Sequence, residues 1–207
     1  MKKIYGWALA GLLLAGCGTA AETDTADTDD RTKDHAAFAE EYTELSEDNV
    51  FYYGDQEQIL AMLQHGTGVV YLGFDECPWC QRYVVYLNEV CEKAGLEVMY
   101  YDILEDRSDN TEFYQQVVEI LGDNLDFDSD GFPRIYAPDV SFVISGEIIG
   151  HDNESSMLST DEISVEDYWT DEKISAIKEK LSAWAEKTAS AKAAKDAEGC
   201  DEGCKVE

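Results

Sequence analysis

The chain has 207 residues, 44% of them hydrophobic and 11% aromatic, enough to pack a core and too apolar for wholesale disorder. Its 45 acidic residues against 15 basic ones give a formal charge of −30, a surface that repels phosphate backbones and anionic headgroups and argues against any nucleic-acid partner. The six cysteines are too unevenly placed to form the disulfide framework of a small secreted domain.

Residues 1–16 combine a basic start (Lys2, Lys3), an apolar run from Ile4 to Leu14 and small residues before Cys17. This is the pattern of a secretory signal, too short to span a bilayer as a mature helix. Leu14-Ala15-Gly16-Cys17 resembles the lipobox of bacterial lipoproteins. That resemblance implies cleavage before Cys17, acylation of its sulfur, and a lipid anchor at the cell membrane on the extracytoplasmic side. An ordinary cleaved signal is the alternative. Residues 17–34 are small, polar and acidic after the cysteine and read as a flexible tether.

A single α/β domain is expected over residues 35–190. It opens with a weakly helical lead-in at 35–47 (Phe38, Tyr42, Leu45) and a short strand, Val50–Tyr53. Asp55 and Gln58 have capping-box spacing before Ile59, Leu60 and Leu63. An apolar strand at 68–74 leads into Cys77-Pro78-Trp79-Cys80, and the helical spacing of Val84, Leu87, Val90 and Cys91 continues to about Ala94 before Gly95. Leu96–Tyr101 is the next strand, and Phe113, Val117, Ile120 and Leu121 give a helix ending at Gly122. Beyond an acidic loop, Val140–Ile144 and Glu147–Ile149 flank Ser145-Gly146 and read as a β-hairpin. Residues 151–168 are polar and carry no clear pattern. Ile174, Ile177, Leu181 and Trp184 mark a closing amphipathic helix, which fades into a flexible tail at 191–207 holding Cys200 and Cys204.

The paired cysteines carry the chemistry. Two residues apart at a strand–helix junction, they can close a small reversible disulfide, and the unpaired N–H groups of the helix start favour a thiolate on the first sulfur. With this motif and the order strand–helix–strand–helix–hairpin–helix, the domain resembles the thioredoxin-like superfamily, with a central mixed sheet flanked by helices. The run from Gly66 to Phe74 before the motif is similar to the secreted bacteriocin-accessory branch of Gram-positive bacteria.

The resemblance implies a membrane-anchored thiol–disulfide oxidoreductase that exchanges disulfides with cysteines of extracytoplasmic proteins or peptides. A membrane or extracellular thiol would be its electron donor or acceptor, and the Cys77–Cys80 disulfide would be its only redox group. Cys77 would be the nucleophile, the more exposed of the two, and Cys80 the resolving thiol. Pro78 suits the first helical turn. Trp79 would be an exposed rim contacting substrate, or else a packed core side chain. The family's cis-proline, by its spacing to Gly146, maps to Pro138 in preference to Pro133, with the backbone of Ala137 offered to a substrate strand. One departure is plain: where thioredoxins bury an aspartate six residues before the first cysteine, this chain has Tyr71. Asp75 and Glu76, nearer the motif, are expected to be solvated. The direction of electron flow stays open.

Other candidates are weaker. Cys91 reads as an inert buried thiol. Cys200 and Cys204 could form a passive clip, a second redox pair trading electrons with Cys77, or a soft-metal clamp. Asp126, Asp128 and Asp130 resemble the first half of a calcium loop, but Ala137 stands where a bidentate carboxylate is required. His35, His65 and His151 read as surface residues. The competing functions are Cu or Zn capture through Cys77 and Cys80, and a non-catalytic escort for a secreted peptide.

Overall fold

The computed structural model describes residues 27–154 and 163–202, with side chains from 34 to 154 and from 163 to 197. The leader, Cys17, Cys204 and the side chain of Cys200 lie outside the described residues. The elements in order are α1 (Asp27–Glu41), β1 (Phe51–Tyr53), α2 (Gln56–His65), β2 (Gly68–Gly73), α3 (Pro78–Ala94), β3 (Val98–Asp102), α4 (Leu104–Asp109), α5 (Glu112–Leu121), β4 (Asp126–Phe127), β5 (Pro133–Arg134), β6 (Asp139–Ile144), β7 (Glu147–Asp152), α6 (Val165–Tyr168) and α7 (Asp171–Glu202). A mixed five-stranded sheet runs β1-β3-β2-β6-β7: β1, β3 and β2 are parallel, while β6 and β7 are antiparallel to their neighbours.

The strand period of two divides the core between the faces of this sheet. Val69, Tyr71, Val98, Tyr100, Val140 and Phe142 pack with α1, α3 and α7. Val70, Leu72, Met99 and Val143 pack with α2 and α5. Both faces of β2 are therefore apolar, which is why its sequence reads as an unbroken hydrophobic run.

Local signals form as the sequence leads one to expect. Asp55 and Gln58 close their reciprocal capping box, with bonds of 2.8 and 2.9 Å. Gly95 ends α3 in the left-handed conformation. At the hairpin, Ser145 (φ 53°) and Gly146 (φ 81°) both take positive φ, as a two-residue turn between twisted strands requires. A Cβ on Gly146 would stand 2.0 Å from the Gln64 carbonyl oxygen. Gly146→Ala is therefore expected to destabilise the fold by about 1–3 kcal/mol, read as a lower midpoint in chemical denaturation. An unchanged midpoint would contradict this packing of the turn on α2.

Three expectations are corrected, and two short helices are added. Residues 27–34 are helical rather than part of the tether. Phe38 of α1 stacks on Phe51 with centroids 4.2 Å apart, and Asp34 accepts the Tyr53 N–H, so α1 is held onto β1 by packing its weak periodicity does not reveal. The closing helix does not fade near residue 190 but continues to Glu202. Its Ala, Lys and Glu content favours helix, and Thr188 is still buried past the last strong apolar position. The unpatterned stretch contains α6, and the acidic loop is a small hairpin in which β4 pairs with β5, Asp126 opposite Arg134. The short α4, absent from the sequence reading, is organised around one buried carboxylate. Asp106 accepts the hydroxyls of Tyr101 and Thr111, each at 2.6 Å. No helix among the described residues is long and apolar enough to cross a membrane.

Candidate active site

β2 ends at Gly73, and a three-residue loop carries the chain to Cys77, the N-cap of α3. Gln81 steadies that loop from inside the helix, donating its side-chain amide to the Asp75 carbonyl at 2.7 Å. Glu76 is exposed and Asp75 half-buried. Pro78 occupies the first helical turn, where a missing N–H costs no bond. The Cys77 sulfur takes the cap role usually given to an oxygen, accepting the Cys80 N–H at 3.2 Å.

Across the site, the Ala137–Pro138 peptide is cis, and the Ala137 carbonyl accepts the Cys77 thiol at 3.8 Å. Cys77, Cys80, Ala137 and Pro138, 60 residues apart in sequence, therefore converge at one end of the central strands. Both cysteines are free thiols. Cys77 is 6% exposed and Cys80 wholly buried, so the sulfur nearer solvent is the expected one, but it presents only an edge.

Their surroundings push the two ionisations apart. Hydrogen bonding from the Cys80 thiol, opposed by burial and reinforced by the N–H groups of Cys80 and Trp79 and the charge of Arg107, lowers Cys77 to about 7. Burial and the adjoining Cys77 sulfur push Cys80 well above the ordinary thiol range. The Tyr71 hydroxyl acts the other way on Cys80, as a donor that eases its ionisation. That hydroxyl is itself buried without a well-formed hydrogen bond among the described residues. Tyr71 is thus a neutral donor whose own ionisation burial suppresses.

Several site expectations need correction. Trp79 is not an exposed rim: it is 5% exposed, and Tyr168 covers it edge-on at a centroid distance of 5.3 Å. The covering residue comes from α6, in the stretch that has no sequence pattern. His151 is not a surface residue either. Its Nε2 lies 3.0 Å from the carboxylate of Asp139, the residue after Pro138, and both side chains are buried. His35 is half-buried; His65 is exposed. Cys91 is a buried free thiol raised by desolvation, in keeping with an inert role.

In the calcium-like segment, Asp128 accepts the N–H groups of Asp130 and Phe132, and Asp126 accepts the Asn153 amide. The carboxylates of Asp126 and Asp128 thus serve their own turn and the residue that follows β7. No three His, Cys, Asp or Glu side chains among the described residues gather into a metal-holding group.

Two arginines escaped the sequence reading, one of which, Arg107, is close enough to act on the Cys77 and Cys80 sulfurs. The guanidinium of Arg107, on α4, lies over the Phe74 ring at 5.1 Å, and that of Arg134, on β5, near the Tyr136 ring at 5.7 Å. Burial and the charge of Arg134 both depress the ionisation of Arg107. The available signal was scarcity: an acid-rich chain has only four arginines, and one of them stands four residues before Pro138. The chain matches no protein-family model, no curated protein and no solved structure.

Proposed function

We propose that the protein is a thiol–disulfide oxidoreductase of thioredoxin-like fold, anchored through Cys17 on the extracytoplasmic face of the membrane and acting on cysteines of proteins or peptides. The observation that carries this reading is the pairing at the start of α3. A thiol lowered to about 7 sits at the helix start against the carbonyl before a cis-proline, with a second, harder-to-ionise thiol one turn behind it. A nucleophile whose pKa lies near ambient pH combines a substantial thiolate fraction with retained nucleophilicity.

In the reducing direction, the Cys77 thiolate attacks one sulfur of a substrate disulfide. A Cys77–substrate disulfide forms, and the other substrate sulfur leaves as a thiolate that takes up a proton. Cys80 then gives up its proton, assisted by the Tyr71 hydroxyl, and attacks Cys77. The Cys77–Cys80 disulfide forms and the second substrate thiol is released. Two electrons pass from the protein dithiol to the substrate, and every step reverses when the oxidised protein meets a substrate dithiol. Strong oxidants of this chemistry stabilise their thiolate far more, with pKa values of about 3.5. A value of about 7 therefore favours the reducing direction.

Equilibration with glutathione redox buffers, read by alkylation and mass, tests the reading. Among Cys77, Cys80 and Cys91 a single two-electron transition confined to Cys77 and Cys80 is expected, with a potential nearer to about −270 mV than to about −120 mV. A pair that never closes, or a transition that consumes Cys91, would overturn it.

A further inference from the structure

Arg107 and Arg134 line one cavity of about 510 Å³, together with Tyr114 and Phe132. Neither arginine is ion-paired to a carboxylate among the described residues, although the chain carries three acids for every base. Asp102 lies within electrostatic reach of Arg107 without pairing to it, and three other nearby acids are engaged elsewhere. Asp106, next to Arg107, is buried among hydroxyls and the Gln56 amide. Asp126, opposite Arg134 in the β4–β5 ladder, accepts from Asn153. Asp128 lines the cavity too, but its Oδ1 is occupied by two backbone N–H groups. The lining therefore sets two guanidiniums against one carboxylate, a local excess of positive charge that an anion entering the cavity would meet.

The position of the cavity gives the anion a role. Arg107 rests on Phe74, three residues before Cys77, and Arg134 near Tyr136, next to Ala137. The two cations thus flank the segments that hold the reactive sulfur and its facing carbonyl. The exposed ring of Phe132 adds an apolar wall.

We propose that this two-arginine cavity selects peptide substrates bearing an acidic side chain close to the cysteine under attack. The guanidiniums hold the carboxylate while the substrate disulfide lies beside Cys77. This rests on the exchange activity above and names its substrate class. On a surface of formal charge −30, general electrostatics would repel such a substrate, so the preference must come from these two side chains at short range.

The test uses the full chain and two end-blocked peptide disulfides that differ only in Glu or Gln beside the cysteine. The Glu/Gln ratio of exchange rates is divided by the ratio given by dithiothreitol, which removes the intrinsic effect of the charge on the disulfide. A normalised preference of about tenfold for Glu is expected, the size of one charge-assisted hydrogen bond. It should fall towards one in Arg134→Gln, and reach one in the Arg107→Gln/Arg134→Gln double variant. Because a ratio is taken within each variant, the loss of Arg107's effect on the thiolate cancels. Affinities of the corresponding serine peptides, which cannot exchange, give the second readout. Tighter binding of the Glu form that depends on the arginines upholds the cavity even if exchange fails. A normalised ratio of one in the native chain with no Glu preference in binding, or a preference the double variant retains, overturns it.

Discussion

Of the three cysteines in the described domain, carbamidomethylation of the reduced protein near neutral pH is expected to modify Cys77 alone, at a rate that rises with pH through one ionisation centred at about 7 and then levels off. The sign follows from the reacting species. Only the thiolate is alkylated, so lowering the Cys77 pKa from the ordinary thiol range of about 8.5 moves the reactive window down to neutrality. Cys80 and Cys91 stay silent there, because burial holds both as neutral thiols and hides them from the reagent. Cys77→Ser should abolish exchange with any disulfide, since a hydroxyl at this position has no comparable anion to offer. Arg107→Gln should move the midpoint upward while leaving the plateau rate nearly unchanged, because it removes a stabilising charge and not the nucleophile. A midpoint in the ordinary thiol range, or equal labelling of Cys91, would mean that the start of α3 does not activate its sulfur.

What the sequence discloses of this site follows from which interactions are local. The capping box, the glycine stop after α3, the hairpin glycine and the place of the cysteine pair at the start of α3 are each decided within a few residues, and each reads correctly from its own neighbourhood. Pro138 is preferred over Pro133 on the spacing to Gly146 that the resemblance implies, and the Ala137–Pro138 bond is cis. The failures share a different cause. Trp79 is covered by Tyr168, 89 positions away, from a four-residue helix with no periodicity to betray it. His151 is buried by a carboxylate on the neighbouring strand, a contact that depends on sheet register. Arg107 and Arg134 owe their places to α4 and to the β4–β5 hairpin, two elements too short for hydrophobic patterning and held by side-chain hydrogen bonds. Patterning thus finds the scaffold and the sulfurs, whereas the groups that tune them arrive through tertiary contacts.

The Cys80→Ala variant is expected to accumulate a covalent adduct between Cys77 and a substrate cysteine, visible as a mass increase that dithiothreitol removes. In the native protein the second step is intramolecular. Cys80 sits one turn into α3, with its N–H already 3.2 Å from the Cys77 sulfur, so resolution proceeds at the effective concentrations of well-oriented groups. Without it, release waits for an external thiol at millimolar concentration, and the adduct should live longer by about a thousandfold or more. Cys91 cannot substitute: eleven residues further along α3, it lies about 16 Å away along the helix axis and is wholly buried. Cys80→Ser, which keeps a polar atom near the Tyr71 hydroxyl, should trap the same adduct, separating lost resolution from any repacking around the tyrosine. Adding Cys77→Ser to either variant should eliminate the adduct. Should a single Cys80 variant form no adduct, or should the double variant keep it, the order of attack by Cys77 and resolution by Cys80 would be wrong. The sulfur at the head of α3 would then need a different chemistry.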